Sequence, residues 1–176
     1  MLATAECRTQ EAALVRAAQG GDRVAFGALY QQYERVIHGI LLAHVSYCDA
    51  EDLMHDVFVK ALERLPGLRE PGAFCGWLIA IARRTATDYR RCHKTEVEID
   101  ERLSGGTQPD DEAFAVLATI QRLPESYRET LILRLVEGMT GPEIAVRTGL
   151  TADSVRVNLC RGMKILRAQL KGETYE

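Results

Sequence analysis

Residues 140–170 read TGPEIAVRTGLTADSVRVNLCRGMKILRAQL, and this stretch decides the fold of the chain. The segment Thr140-Gly-Pro-Glu143 is a capping box with a proline in the first turn, which predicts a short helix. Gly149 then makes a turn, and Thr151 can cap a last helix that runs to about Leu170. Two helices joined by a short glycine-containing turn, the second longer and basic, indicate a helix-turn-helix.

The last helix has two unlike faces. Apolar side chains at spacings of three and four predict a buried stripe of Val155, Leu159, Met163, Leu166 and Leu170. Six basic residues and one acidic residue lie between Arg147 and Lys171, so the opposite face can neutralise phosphates and reach base edges. On or beside that face lie Asp153, Ser154, Arg156, Val157, Asn158, Arg161 and Lys164. An ordinary helical hairpin with a solvated basic face is the alternative interpretation.

Upstream of this motif, residues 95–112 interrupt the helical pattern. They carry seven acidic side chains against one basic side chain, a net charge of −6, with Gly105-Gly106 and Pro109 among them. Such a composition predicts a flexible linker, whose 18 residues could span at most roughly 60 Å when fully extended. We therefore predict an N-terminal domain of residues 1–94, an acidic linker of residues 95–112 and a C-terminal domain of residues 113–176.

Helix signals dominate the rest of the chain, and no segment shows the sustained two-residue alternation of a strand. Asp22 and Asp49 are the expected N-caps of two of the helices. The predicted helices cover residues 11–19, 22–45, 49–65, 73–94, 113–122 and 125–137. In the second of these, spacings of three and four predict an apolar stripe of Phe26, Leu29, Tyr30, Tyr33, Ile37, Ile40 and Leu41. In the third, one half of the helix surface carries Leu53, Met54, Val57, Phe58, Ala61, Leu62 and Leu65. The predicted class is all-α, with two small helical domains joined by the linker.

The polar side of the 49–65 helix is strongly acidic. Asp49, Asp52, Asp56 and Glu63 fall within about 60° of one another on the helical wheel. An acidic face suits a basic protein partner, because charge steers the encounter. A merely solvated face explains the same pattern. Clustered carboxylates could also bind metal or perform acid–base chemistry, but no nucleophile or phosphate-binding loop accompanies them.

The 73–94 helix changes from apolar and aromatic to basic along its length. Its first half contains Phe74 and Trp77, whereas residues 83–94 carry a net charge of +4 with Tyr89 among the arginines. Basic groups interleaved with aromatic rings suit single-stranded nucleic acid, where phosphates pair and bases stack. Trp77 taken alone is more typical of a core residue. The Pro/Gly-rich loop of residues 66–72 could clasp an extruded base or serve only as a connection.

Bulk composition excludes several other classes of protein. With 176 residues, of which 27% are charged and 47% apolar, the chain is globular and has room for one ordinary domain or two small ones. No apolar run approaches the ~20 residues of a membrane helix, and the N-terminus lacks the order of a signal peptide, which predicts a cytoplasmic protein. The five scattered cysteines form no CxxC or CxxH pair, so they indicate neither a disulfide framework nor a zinc finger. We expect no metal site and no cofactor.

The order of these motifs resembles that of bacterial sigma factors. The second sigma region is matched by Tyr33, DAEDLMHDVF at 49–58, FCGWLIAIAR at 74–83, Asp88 and Arg91. The fourth region is matched by LPESYR at 123–128 followed by the helix-turn-helix. Two such regions joined directly are similar to the extracytoplasmic-function group of the sigma-70 family, and the resemblance covers roughly residues 10–170.

The resemblance implies a promoter-specificity subunit of RNA polymerase that is not itself an enzyme. Core polymerase would be bound through its β′ clamp helices and β flap, the former by Asp49, Asp52 and Asp56. Minus-ten DNA would be recognised and opened by the loop and helix that carry Arg69, Phe74, Trp77, Arg83, Arg84, Tyr89, Arg90 and Arg91. The minus-thirty-five element would be read by Ser154, Arg156, Val157, Asn158, Arg161 and Lys164. An anti-sigma factor is a further implied partner and could hold the protein at the inner membrane face. Neither a small-molecule substrate nor membrane insertion is implied.

The sequence departs from the usual family pattern at four positions, three on the predicted DNA-binding helices and one in the predicted polymerase-docking helix. Arg84 stands where Asn is typical, His55 where Gln is common, and Val157 and Asn158 where Ser and Arg are frequent. These departures leave the promoter sequence open. A stand-alone helix-turn-helix regulator, which would bind duplex DNA without polymerase, is the main alternative. A nuclease that uses the three aspartates is a more distant one.

Overall fold

The computed structural model describes residues 2–93 and 109–171, and over these ranges it consists of helices and turns, which confirms the all-α class. Helices α1–α4 form an N-terminal bundle and helices α5–α8 a C-terminal bundle. None of the described helices combines the length and apolarity needed to cross a membrane. The helix bounds are α1 Leu2–Gln19, α2 Arg23–Leu42, α3 Tyr47–Arg64, α4 Phe74–His93, α5 Pro109–Arg122, α6 Glu125–Leu135, α7 Gly141–Thr148 and α8 Ala152–Leu170.

The N-terminal bundle packs around helix α2. Leu29 and Ile37 on its inner face are fully buried, as their helical spacing predicts. Tyr33 on the same face is also buried, but its hydroxyl donates a 2.6 Å hydrogen bond to Glu11 of α1 and is therefore satisfied. Burial, with smaller contributions from Cys75 and Glu11, raises the pKa of Tyr33, so the ring stays a neutral donor.

Of the two N-caps predicted for this bundle, one is confirmed and one is wrong. Asp22 caps α2 by accepting two backbone N–H groups of its first turn, which confirms that prediction. The prediction for Asp49 is wrong, because Ser46 caps α3 and accepts the Asp49 N–H at 3.3 Å. Ser46 has the extended backbone that an N-cap needs, whereas Asp49 already lies in the first turn. A carboxylate there still favours the helix, since it faces the positive end of the dipole.

The structure confirms the predicted capping box, turn and N-cap of the helix-turn-helix. The Thr140 N–H donates to Glu143 Oε2 at 2.7 Å, and the Glu143 N–H donates to Thr140 Oγ1 at 3.4 Å, which completes the capping box. Gly149 ends α7 with φ of 73°, a left-handed conformation that strains residues with a side chain. Thr151 then caps α8 by accepting the Ser154 N–H at 3.1 Å.

Several boundaries differ from the predicted ones. Helix α1 begins at Leu2 rather than near Glu11, and α5 begins at Pro109 rather than Ala113. Proline suits the first turn of a helix because it has no N–H to leave unpaired, so acidic residues assigned to the linker belong to α5. Residues 95–108, the rest of the predicted linker, lie outside the described residues.

Two predicted core positions are exposed. The side chains of Leu62 and Leu170 are each half exposed, so assigning them to buried stripes was wrong. In α8 the close approach to α6 occurs instead at Gly162, where an added Cβ would lie 3.0 Å from Leu131 Cδ1. Helical periodicity identifies an apolar face, but only the neighbouring helix decides how much of that face is covered.

The two bundles pack directly against each other, in a contact that we call the closed interface. Gly39 of α2 lies so close to α6 that an added Cβ would come within 2.7 Å of Leu133 Cδ2. Gln121 Nε2 of α5 donates to the carbonyls of Leu42 and Val45, at 2.8 Å each. These bonds satisfy carbonyls that the end of α2 leaves without a helical partner. The linker would be long enough to hold the bundles apart, but here they share one continuous core.

Candidate nucleic-acid interface

All six residues predicted to read the minus-thirty-five element lie at the surface of α8. Five are exposed and Asn158 is half-buried. Local contacts order the start of the helix, where Ser154 Oγ lies 2.8 Å from Thr151 Oγ1 and Arg156 pairs with Asp153 at 3.1 Å. Arg161 and Lys164 lie on the exposed side further along. Both side chains are therefore solvent-accessible, on the side of α8 that could face phosphates or base edges in a major groove.

The acidic face of α3 is also accessible. Asp52 and Asp56 are exposed, one turn apart. Asp49 is half-buried and its two carboxylate oxygens are occupied, one by the Tyr89 hydroxyl at 2.7 Å and the other by Ser46 Oγ at 2.6 Å. Tyr89 is one of the predicted minus-ten residues, so this hydrogen bond links the two predicted surfaces of the N-terminal bundle.

The predicted minus-ten residues divide into buried and accessible groups. Phe74 is fully buried and packs edge-on against Tyr33, with ring centroids 5.5 Å apart. Trp77 is half-buried and lies 5.8 Å from the Phe74 ring. In this conformation Phe74 belongs to the core and cannot meet a base. Sequence alone cannot tell whether an apolar residue in the first turn of an amphipathic helix packs in the core or contacts a base. Both roles are filled by the same kind of side chain.

The remaining cations of α4 are mostly exposed. Arg84 and Arg91 both pair with Asp88, at 3.7 and 3.3 Å, in surface contacts that are worth little energy. Arg90 is exposed near the end of the helix, and Arg69 is exposed in the loop that precedes it. Arg84 and Arg91 can exchange Asp88 for phosphates at low cost, and the side chains of Arg69 and Arg90 are solvent-accessible.

Arg83 differs from its neighbours because its partner lies in the other bundle. Its Nε and one terminal nitrogen donate to the two carboxylate oxygens of Glu129 in α6, at 2.9 and 2.6 Å. Burial acts to raise the pKa of Glu129, but hydrogen bonds from Arg83 and His44 outweigh it and hold that pKa below its usual value. The same two-pronged contact with Glu129 raises the pKa of Arg83. A fork-to-fork pair of this kind is among the strongest side-chain contacts.

Sequence reasoning did not identify Glu129 or His44. Neither belongs to a local motif, and 85 residues separate them along the chain. Together with Glu125 they place one ligand atom each within 4.8 Å, close enough to share a cation. Glu129 already accepts both prongs of Arg83, however, so an existing positive charge neutralises this group.

Two family models match this chain. The model of sigma-70 region 2 matches residues 29–96, and the model of sigma-70 region 4 matches residues 113–166. Together the matches span about two thirds of the chain, and one falls in each bundle. The chain belongs to the sigma-70 family.

Within this family the chain is of the extracytoplasmic-function type. It is 29% identical to the ECF RNA polymerase sigma-E factor of Haemophilus influenzae, over 90% of this chain and 94% of that one. It is also 29% identical to the sigma-E factor of Escherichia coli strain K12, over 87% of this chain and 90% of that one. The chain is accordingly an RNA polymerase sigma factor, and the two bundles are its regions 2 and 4.

Solved structures share the fold of this sigma factor. One is CnrH in complex with the cytosolic domain of CnrY, with a TM-score of 0.62, 24% identity, and coverage of 93% of this chain and 99% of that one. Another is the sigma factor RpoE in complex with the anti-sigma factor NepR from Bartonella quintana, with a TM-score of 0.53 and 19% identity. It covers 83% of this chain and 96% of that chain.

Proposed function

We propose that this sigma factor binds core RNA polymerase through the acidic face of α3 and directs it to promoters. Asp52 and Asp56, with Asp49 behind them, would meet the β′ clamp helices, and region 4 would meet the β flap. The observation that supports this division best is spatial: the exposed acidic face lies on α3, whereas the cations suited to DNA lie on α4 and α8. One molecule can then hold protein and DNA at the same time. The polymerase performs the chemistry.

The DNA would be contacted by two elements. Helix α8 presents Arg161 and Lys164 to the major groove of the minus-thirty-five element, where cations position the helix and polar side chains read base edges. The loop of residues 66–72 and helix α4 open the minus-ten element. Unstacking a base costs a few kcal/mol, so a pocket that favours one base supplies selectivity.

Control by an anti-sigma factor completes the proposal. Both solved relatives were determined as complexes, one of them explicitly with an anti-sigma factor and the other with the cytosolic domain of CnrY. We infer a similar inhibitory partner for this chain. It would act in the cytoplasm and hold the sigma factor away from polymerase until a signal arrives.

Run-off transcription with purified core polymerase over a genomic library tests the proposal and identifies the promoter. Asp52→Arg combined with Asp56→Arg should abolish co-purification with core enzyme and leave the helical content intact, because it reverses the charge of the docking face. Glu51→Arg is the matched control, since this exposed residue lies about 100° round the same helix. Unchanged co-purification of the double variant would contradict the docking role. Tight binding to promoter duplex without polymerase would favour a stand-alone regulator.

A further inference from the structure

Tyr89 lies on the inner face of α4, although it is among the predicted minus-ten residues. On the helical wheel it falls about 20° from Ala82 and about 60° from Ala86, and both alanines are fully buried. Its own side chain is half-buried. Arg90 follows about 100° round the helix and is exposed. The ring of Tyr89 therefore faces the rest of region 2, whereas the cation beside it faces solvent.

The hydroxyl of Tyr89 is bound to the first turn of α3. It donates a 2.7 Å hydrogen bond to Oδ1 of Asp49, although 40 residues separate the two. The other carboxylate oxygen accepts a 2.6 Å bond from Ser46 Oγ, and Ser46 is the N-cap of α3. Hydrogen bonds to a carboxylate are stronger than those between neutral groups. Asp49 is thus held in one place and offers Tyr89 a fixed anchor.

Contacts beyond Tyr89 extend this anchor to the end of α4. The ring of His93 stacks on the ring of Tyr89, with the centroids 4.0 Å apart and 20° between the planes. His93 Nδ1 also lies 3.0 Å from the Tyr89 carbonyl, and it is the donor because a carbonyl only accepts. Both contacts join the final residue of α4 to the residue that is bound to α3.

The last turn of α4 carries two of the predicted minus-ten cations. Arg90 and Arg91 are exposed, and the Arg91–Asp88 pair at 3.3 Å is a surface contact worth little energy. Helix ends open easily, because their last carbonyls lack partners within the helix. A cation can guide a DNA strand only if the helix that carries it is itself held in place. The Tyr89–Asp49 bond supplies such support from α3, whose acidic face is the proposed polymerase contact.

We propose that Tyr89 is a positioning residue in promoter opening: through Asp49 it fixes the last turn of α4 to the polymerase-docking helix, and it does not stack on DNA. This proposal rests on the proposed sigma function and replaces the direct minus-ten contact predicted for Tyr89. With α3 docked on core enzyme, the bond places Arg90 and Arg91 at a defined distance from the polymerase. The strand that these cations hold is then guided relative to the same frame.

Tyr89→Phe separates positioning from stacking. Phenylalanine keeps the aromatic ring, so it would preserve stacking on a base, but it lacks the hydroxyl that reaches Asp49. Tyr30→Phe is the matched control in the same bundle. Tyr30 is half-buried with its ring 4.4 Å from that of Phe58, and the described residues show no hydrogen bond of its hydroxyl.

Two quantities are measured on the full-length chains. One is the affinity of the sigma factor for core polymerase, by fluorescence anisotropy. The other is the rate of promoter opening by preformed holoenzyme, from the permanganate reactivity of the minus-ten bases. Tyr89→Phe should slow opening about three- to tenfold and keep the affinity within about twofold, because one hydrogen bond is lost away from the docking face. Tyr30→Phe should change neither quantity.

Variants of Asp49 test the other end of the bond. Asp49→Ala removes the acceptor and should slow opening as much as Tyr89→Phe does. Asp49→Asn keeps an oxygen that can accept from the tyrosine hydroxyl, so it should restore most of the rate. Because the holoenzyme is formed beforehand, an effect on docking does not enter this comparison. The double variant Tyr89→Phe with Asp49→Ala should open no more slowly than the slower single variant, since both remove the same bond.

The possible outcomes separate this proposal from the sigma function. Normal opening by Tyr89→Phe with slow opening by Tyr89→Ala would assign the ring to base stacking and overturn the positioning role. Equal losses of core affinity and opening rate would reduce Tyr89 to general support of the fold, which also overturns it, as would additive effects in the double variant. If the unmodified chain opens no promoter with core enzyme, the sigma function fails and the positioning role fails with it.

Discussion

Helices α8 and α4, the two predicted DNA-binding helices of this sigma factor, differ in how much of their predicted contact surface is accessible. On α8 all six predicted residues lie at the surface, and the ion pair of Arg156 with Asp153 stays within the helix. On α4, by contrast, Phe74 is fully buried. Arg83 is accessible in part but is paired with Glu129 across the closed interface. Charge, periodicity and the resemblance to sigma factors together selected both sets. This reasoning identifies the accessible residues of a helix that is defined by its own caps and turn. It does not show which residues of a helix are covered by neighbouring helices.

The difference has a local cause. Caps at Thr140 and Thr151 and the left-handed turn at Gly149 define both ends of α7 and the start of α8 within twelve residues of sequence. The first turn of α4, in contrast, is placed by packing, because Phe74 inserts between Tyr33 and Trp77. Region 4 therefore presents its predicted DNA-binding face through local rules, and region 2 presents its predicted face through tertiary contacts.

Phe74→Ala should have the largest effect and would test the core role of this ring. Removing a fully buried aromatic side chain costs about 3–5 kcal/mol, a large part of the stability of a small domain. Thermal unfolding followed by circular dichroism measures the loss. Phe74→Leu keeps most of the apolar volume and should cost less than about 1.5 kcal/mol. Unaltered melting of the alanine variant, together with defective promoter opening, would return Phe74 to the DNA-binding group.

Arg161→Ala should weaken transcription from promoters with an intact minus-thirty-five element. The loss of one phosphate or base contact is expected to cost about 1–3 kcal/mol. The measurement is run-off transcription on a promoter pair with and without that element. Arg167→Ala removes an equal charge about 120° round α8 and should have the smaller effect. An equal loss on both promoters for Arg161→Ala would show that α8 does not read this element.

Thr140→Ala should have the smallest effect, confined to region 4. It removes the hydroxyl of the capping box and should destabilise α7 by about 1 kcal/mol. Thermal unfolding of the variant measures this cost, and Thr140→Ser should restore most of the stability because serine keeps the hydroxyl. A loss as large as that of Phe74→Ala would contradict the view that α7 depends on short-range signals.

Several features of the N-terminal bundle could be predicted from sequence, within limits. Spacing along α2 correctly identified Leu29, Tyr33 and Ile37 as buried, because one side of an amphipathic helix must face the core. The same reasoning failed for Leu62, since nothing in a helical wheel states where the neighbouring helix ends. It also chose Asp49 over Ser46 as the cap of α3, because both residue types are good N-caps and only backbone conformation separates them.

The candidate sites show a similar boundary. Charge patterning found the acidic face of α3 and the cations of α4 and α8, because clusters of like charge stay at the surface and can be counted. It did not find Glu129 as the partner of Arg83, since 46 residues separate the two and no local motif joins them. It also did not predict that the Tyr89 hydroxyl donates to Asp49, because this hydrogen bond joins two different helices.

The sequence by itself determined the helical class, the helix-turn-helix with its caps and turn, and the placement of opposite charges on separate helices. These features depend on hydrogen bonds and spacings within a few residues, which the chain specifies directly. Only the tertiary structure decided that Phe74 lies in the core, that α6 packs closely against Gly39, and that Arg83 pairs with Glu129. Those features depend on contacts between residues far apart in the chain, and their energy exists only once the two bundles meet.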